Sequence, residues 1–288
     1  MRAVNLRVRV GVGAVLTALA LSACSTDPPE APPVPDPVTC DEPVDAGAPG
    51  EAEVVLTYGQ TMSGWGLFGG AYLVIYADGA TAVWEETEAA SFPPAGRMMT
   101  PYSPETPGAF RAGAMNPCAT EQFLDRLTEV FDEPEREFGE PTVADAGSLP
   151  VQYRAPGSDE VISYSIFAPS VATDSNGNPV DGVTNEQLQA RYDVFALRDF
   201  LDVNIEEGEL LRPEQLQVQP LPGGGDQVPQ VPPEWPIQDF EEIAVSDDCG
   251  VLSGEDTEGV LEVILAGQNA SEDYSVMAVP PGISPCGG

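Results

Sequence analysis

Two proline-rich runs decide where this chain can build a core. Residues Ser25 to Val38 hold six prolines (Pro28, Pro29, Pro32, Pro33, Pro35 and Pro37), and residues Gln217 to Pro236 hold six more with the triplet Gly223 to Gly225. Proline fixes φ and donates no backbone hydrogen bond, so neither run favours a helix or a central strand. The first reads as a polyproline tether, able to hold a domain about 40 Å from its start at ~3.1 Å per residue. The second reads as a linker or an extended wrapping segment. Folded structure is therefore expected in a main domain over residues 48–216 and a small C-terminal module over 237–288, with 217–236 between them.

Ahead of the first run, Arg2, Arg7 and Arg9 precede the uncharged apolar stretch Val10 to Leu21. That stretch is shorter than the ~20 residues a bilayer span requires, and it reads as a cleavable signal. Leu21, Ser22, Ala23 and Cys24 resemble the lipobox of bacterial lipoproteins. The resemblance implies a signal peptide over residues 1–23, cleavage before Cys24 and a diacylglycerol on its thiol. Residues 24–47 would then be the lipidated cysteine and its tether, and the protein would sit on the extracytoplasmic face of the cell membrane. Two or three acyl chains would hold firmly, whereas one binds only marginally at ~0.8 kcal/mol per buried methylene.

Charge narrows the chemistry further. The chain carries 47 acids against 11 arginines, with no lysine and no histidine, for a net charge of −36. Histidine-based triads, His-ligated zinc, Schiff-base lysines and the phosphate-binding lysine of a Walker loop are all excluded. Nucleic acid would be repelled, because phosphate affinity needs clustered cations. A hydrophobic content of 42% still suffices for a core, so the chain is not a disordered acidic tail. So large an acid excess is expected to reflect adaptation to high salt, against the plainer alternative of codon bias and a generic acidic surface.

Beyond Cys24 stand Cys40, Cys118, Cys249 and Cys286. An even set in an oxidising compartment reads as two disulfides, with three connectivities open. Cys40 with Cys118 and Cys249 with Cys286 is the preferred pairing, because each bridge then staples one sequence-local module. No CxxC spacing occurs, which argues against a redox-active pair.

Strands are expected at Val54 to Tyr58 and Tyr72 to Tyr76, the second buried on both faces, with Asp78 and Gly79 turning into Thr81 to Trp84. A helix capped by Thr120 runs to Phe131 on the stripe Phe123, Leu124, Leu127 and Val130. A second hairpin joins Val151 to Arg154 with Val161 to Phe167. Thr184 and Gln187 form a capping box for a helix to Val203. Its apolar positions are Leu188, Tyr192, Phe195, Leu197, Phe200 and Leu201. The tail offers a short strand from Ile237 to Val245, a helix from about Asp256 to Leu265 and a strand from Tyr274 to Val279. Antiparallel hairpins with segregated helices predict an α+β fold stapled by disulfides.

The Tyr-Ala-Asp-Gly turn at Tyr76 to Gly79, the run Phe138 to Gly147 (Phe-Gly-Glu-Pro-Thr-Val-Ala-Asp-Ala-Gly), the Arg191 helix and the tail with Trp235, Pro236, Cys249, Gly254 and Cys286 are similar to a family of uncharacterised actinobacterial lipoproteins. The order is also similar to bacterial domains of unknown function. Ala144 stands where the family's motif usually has a threonine before the aspartate. The resemblance implies an address and a layout, and no activity.

Three motifs were candidates for chemistry. Gly64 to Gly69 spell GxGxxG but run into a strand rather than a helix, so no dinucleotide site is expected. Trp65 and Phe68 within it are candidates for an aromatic contact surface. Asp174, Asn176, Asn178 and Asp181 place oxygen ligands as calcium loops do, though Pro179 occupies the glycine position and the twelfth residue is Asn185. Acid pairs such as Glu85 with Glu86 and Asp247 with Asp248 could serve glycoside hydrolysis, and Asp145 fits a self-bonding turn. No catalytic residue and no cofactor are assigned, calcium being the one candidate ion. The expected function is that of a monomeric, lipid-anchored binding or structural module of the cell envelope, with an unidentified envelope ligand or protein. The alternatives are a carboxylate-dependent hydrolase and a calcium-dependent adhesion or sensing protein.

Overall fold

The computed structural model describes residues 28–41, 44, 47–60, 70–86, 108–131, 136–144, 146–220, 243–246, 249–265 and 274–287. Strands β1 (Val54–Gln60), β2 (Gly70–Tyr76), β3 (Ala80–Glu86) and β4 (Gly108–Ala114) precede helix α1 (Pro117–Phe131). Strands β5 (Ser148–Arg154) and β6 (Val161–Phe167) lead to helix α2 (Asn185–Asn204) and strand β7 (Glu206–Leu210). Strands β8 (Gln215–Pro220), β9 (Ala244–Ser246) and β10 (Cys249–Ser253), helix α3 (Glu255–Leu265) and strand β11 (Tyr274–Ala278) complete the order. The fold is α+β, as expected. Seven antiparallel strands form one sheet in the order β6-β5-β1-β2-β3-β4-β7, and four form a second in the order β11-β8-β10-β9.

Both faces of the large sheet's central strands are buried, each by a different partner. Leu56, Tyr58, Leu73 and Ile75 join Phe123, Leu127 and Phe131 of α1 and Val194, Leu197 and Phe200 of α2 in one core. Val74, Tyr76, Ala80, Ala82 and Phe110 join Leu216, Val218, Leu252, Val260 and Val276 in a second. Helices thus cover one face and the small sheet covers the other. The run Leu73 to Tyr76 is apolar at every position because it sits between the two layers.

Two bulges set the alternation. Val54 pairs with Tyr76 and Leu56 with Ile75, so Val55 is an extra residue on β1; Tyr58 pairs with Leu73 and Gly59 with Ala71, so Tyr72 is an extra residue on β2. An inserted residue re-aims the side chains around it. Val55 and Leu56 accordingly enter the same helix-side core. Tyr72 also packs on the helix side, with its ring 6.2 Å from that of Tyr58, instead of sharing a face with Val74 and Tyr76 as simple alternation expects.

The hairpin turn at Asp78 and Gly79 forms as expected. Gly79 has φ +87°, and a Cβ there would lie 2.2 Å from Thr120 Oγ1, so glycine is required twice over. Thr120 is not the cap of α1. Asn116 holds that place, with Oδ1 accepting from Ala119 N at 2.8 Å, and Pro117 opens the first turn, where its missing N–H costs nothing. Thr120 instead returns its hydroxyl to the Asn116 carbonyl. The capping box of Thr184 and Gln187 is present in both halves.

The tail is continuous with the rest. Strand β8 takes in Gln217 to Pro220, residues that read as the start of a linker, and pairs with both β10 and β11. Residues 221–242 lie outside the described set. The four cysteines pair as preferred, Cys40 with Cys118 and Cys249 with Cys286, each at a Cα separation of 5.7 Å. A short 3-10 turn at Pro285–Gly287 lies on β8 and β10, and Cys286 N donates to Gln217 Oε1 at 2.9 Å.

Candidate functional site

The end of the proline run is locked to the domain at one residue. Val38 packs against the helix-side core. Its N–H donates to Asn204 Oδ1 at 2.7 Å, and its carbonyl accepts from Asn116 Nδ2 at 2.9 Å. Each asparagine divides its amide between a helix end and the incoming chain. Asn116 caps α1 with its oxygen and holds Val38 with its nitrogen. Asn204, buried at the last position of α2, donates to the Phe200 carbonyl and accepts from Val38. Two residues on, Cys40 is bonded to Cys118 in the first turn of α1. The joint recognises backbone, so it fixes the register of the strap rather than its side chains. Each hydrogen bond contributes on the order of 1 kcal/mol and the disulfide about 3 to 5 kcal/mol.

A second organised centre lies in α2. Arg191 has no exposed surface. Its Nε donates to the Phe138 carbonyl, one terminal nitrogen to Ala168 at 3.2 Å, and the other to Gly139 and Phe167, both at 2.9 Å. Burial lowers its pKa from the ordinary arginine value, but a guanidinium still keeps its charge in proteins. The side chain ties the Phe138–Gly139 loop to the end of β6. Ala168 there holds φ +46°, unusual for a residue with a Cβ, while its N–H donates to the Gly147 carbonyl. The two loops also cross closely at Gly182, where a Cβ would lie 2.0 Å from the Glu140 carbonyl.

The calcium-loop candidates form a compact hairpin closed by a bridge between Thr173 and Pro179. Asp174 accepts from Asn176 N at 2.8 Å and Asn178 N at 2.9 Å, and Gly177 N returns to the Asp174 carbonyl. These backbone donors hold the Asp174 carboxyl below the usual carboxylate range, as in an Asx turn. Asn178 Nδ2 also reaches that carboxylate. Asp181 faces elsewhere and accepts from Thr142 Oγ1 at 3.5 Å. Among the described residues, no three His, Cys, Asp or Glu side chains gather as a metal site. Glu85 and Glu86 are consecutive in β3. Cys24, Trp65, Phe68, Asp145, Asp247 and Asp248 lie outside the described residues.

Sequence reading finds both disulfides but misses Asn116, Asn204 and Arg191. The Asn-Pro pair at 116–117 is a helix-start signature that could have revealed the first. The other two sit at buried positions of α2, where a polar residue signals a bond waiting to be made. Among the described residues, no helix is long and apolar enough to cross a membrane. In comparisons with known proteins, no family model, no curated protein and no solved structure matches the chain.

Proposed function

We propose that this chain is a membrane-anchored extracytoplasmic lipoprotein: a disulfide-stapled domain held off the outer face of a bacterial cell membrane, serving as a binding or structural module of the envelope. The observation that carries the reading is the strap joint. A run of prolines follows the lipobox-like Leu21 to Cys24, and it ends at a residue clamped by Asn116 and Asn204 and backed by Cys40–Cys118. A tether that transmits load from lipid to domain needs a fixed point of entry, and this joint supplies one. Two disulfides suit an oxidising compartment. The similarity of the Phe138 to Gly147 run and the Arg191 helix to actinobacterial lipoproteins fits the same address. It gains physical sense from Arg191 bonding the carbonyls of Phe138 and Gly139.

The test is Cys24→Ala in the native host. The variant is expected to leave the membrane fraction and appear in the medium, while mass spectrometry of the wild-type protein finds an acylated amino terminus at residue 24. An uncut, unmodified terminus, or full membrane retention of the variant, overturns the proposal.

A further inference from the structure

The tip of the hairpin closed by Thr173 and Pro179 carries the one Asn-Gly step in the chain, Asn176–Gly177. An asparagine is chemically labile when the next backbone nitrogen can reach its side-chain amide carbon, which a following residue without a Cβ permits best. The other asparagines are worse placed. Asn116 and Asn178 precede prolines, which have no N–H to give up. Asn204 is buried, precedes Ile205 and uses its side-chain amide at both ends. Asn5, Asn185 and Asn269 precede Leu6, Glu186 and Ala270, each with a Cβ. Asn176 and Gly177 are both exposed, and a Cβ built on Gly177 would meet nothing within 4 Å. At the two Asp-Gly steps the glycines are packed instead: a Cβ on Gly79 would lie 2.2 Å from Thr120 Oγ1, and one on Gly182 2.0 Å from the Glu140 carbonyl.

We propose that Asn176 is a site of spontaneous deamidation, and that the hydrogen bonds Asp174 makes within the hairpin set its rate. The Gly177 nitrogen attacks Cγ of Asn176 and gives up its proton, the new N–Cγ bond closes a succinimide ring, and Nδ2 leaves as ammonia. Water then opens the ring at either carbonyl. One opening leaves aspartate at 176, and the other carries the main chain through Cβ as isoaspartate. The balance is one amide and one water to one carboxylate and one ammonia, with no oxidant, metal or enzyme. In the closed hairpin the attack is held back. The Gly177 N–H donates to the Asp174 carbonyl at 3.1 Å. The Asp174 carboxylate fixes the turn around it, accepting from Asn176 N at 2.8 Å and Asn178 N at 2.9 Å. Nδ2 of Asn176, the leaving nitrogen, reaches Asp174 Oδ2 only at 3.5 Å. All these residues are exposed, so the turn opens locally at small cost and the reaction proceeds from the open fraction. Either product works against closing again. Aspartate sets a second carboxylate where Nδ2 now approaches Asp174, and isoaspartate lengthens the loop by one backbone atom. The change therefore loosens the hairpin in one direction only.

The test incubates the full-length chain in detergent in warm, mildly alkaline buffer and follows it by peptide mass spectrometry. The mass gain of amide-to-acid conversion is expected to build up in the peptide holding Asn176, as separable aspartate and isoaspartate forms, and faster there than in any other peptide. N176S is expected to abolish it. D174A leaves the Gly177 acceptor in place but removes the side-chain bonds that close the turn. It is expected to speed the gain about fivefold, the factor to which the ~1 kcal/mol of one exposed hydrogen bond corresponds. The same chain unfolded in urea is expected to react faster than the native protein, a comparison that holds whether or not D174A folds. Melting curves check that it does. An Asn176 that stays intact in the native protein while the unfolded chain reacts overturns the site, and a faster gain at another asparagine overturns its assignment. Equal rates in native wild type, D174A and the unfolded chain overturn the role of Asp174. The reaction needs only water and does not depend on acylation at Cys24, so failure here leaves the anchoring proposal standing.

Discussion

Arg191 concentrates more of the local order than any apolar residue around it. A buried guanidinium is tolerable only when its donors are satisfied, and here four backbone carbonyls from two loops do so. Those carbonyls depend on Arg191 in turn, since they lie away from water. Arg191→Met keeps much of the volume but strands them, and it should lower unfolding free energy by about 3 kcal/mol or more in denaturant titrations. Arg191→Lys should recover only part of that loss, because one ammonium cannot reach carbonyls spread around a planar fork. A full recovery with lysine would show that charge rather than fork geometry matters. This role was not legible in the sequence, because helical periodicity treats an arginine as a solvent-facing break in the stripe. Tyr192 and Phe195, read as inward, are only half-buried, while Ala190, Arg191 and Val194 take the core.

Elements with one strong local signal were legible and those formed by tertiary pairing were not. The second hairpin and the capping box of α2 stand as expected, because alternation and capping act within a few residues. Strands β4 and β7 escape sequence reading. Gly-Ala-Phe-Arg-Ala-Gly-Ala and Glu-Glu-Gly-Glu-Leu lack β-branched residues, and their extended form comes from pairing with neighbours. The bulges at Val55 and Tyr72 are invisible for the same reason. Two tyrosines on neighbouring strands bolt the layers together: Tyr58 on β1 donates to the Val194 carbonyl in α2, and Tyr76 on β2 donates to the Pro281 carbonyl at 2.7 Å. Burial raises the pKa of both phenols well above the ordinary value. Below pH ~10 both states keep the phenols neutral, and stability is unaffected. Above it the unfolded chain loses those protons while the folded chain retains them, so stability should fall steadily as pH rises. Denaturation midpoints should show the decline in wild type and a shallower one in Y58F and in Y76F. Equal slopes in all three proteins would assign the alkaline loss to other groups.

For the whole molecule, the residues expected to form a small C-terminal module share a core with Val74, Tyr76 and Phe110 of the large sheet. Composition cannot reveal this, since a proline-rich stretch between two units and one that wraps a single unit look alike in sequence. The joint at Val38 was legible only to the level of its proline run and disulfide; its asparagines act across 78 and 166 residues of sequence. What composition does carry to the whole molecule is charge. At −36, with 11 arginines against 47 acids, the attraction in ion pairs such as Arg136–Asp193, Arg198–Asp202 and Arg212–Glu258 offsets little of the repulsion. The helices add to it: α1 and α2 have no basic residue in their last turns, and α2 carries Asp199 and Asp202 near a C-terminus that favours cations. Folding brings these carboxylates closer than they stand in the unfolded chain, so the repulsion falls mainly on the native state. Raising NaCl from about 0.01 M to about 1 M shortens the Debye length from ~30 Å to ~3 Å and should relieve it. The melting temperature should therefore climb with salt, most steeply in the dilute range where screening changes most, whereas sucrose at matched osmolality should not reproduce that early rise. A melting temperature flat across the range would mean that the acids are spaced widely enough to be tolerated in water, and that their excess reflects residue usage rather than adaptation to salt.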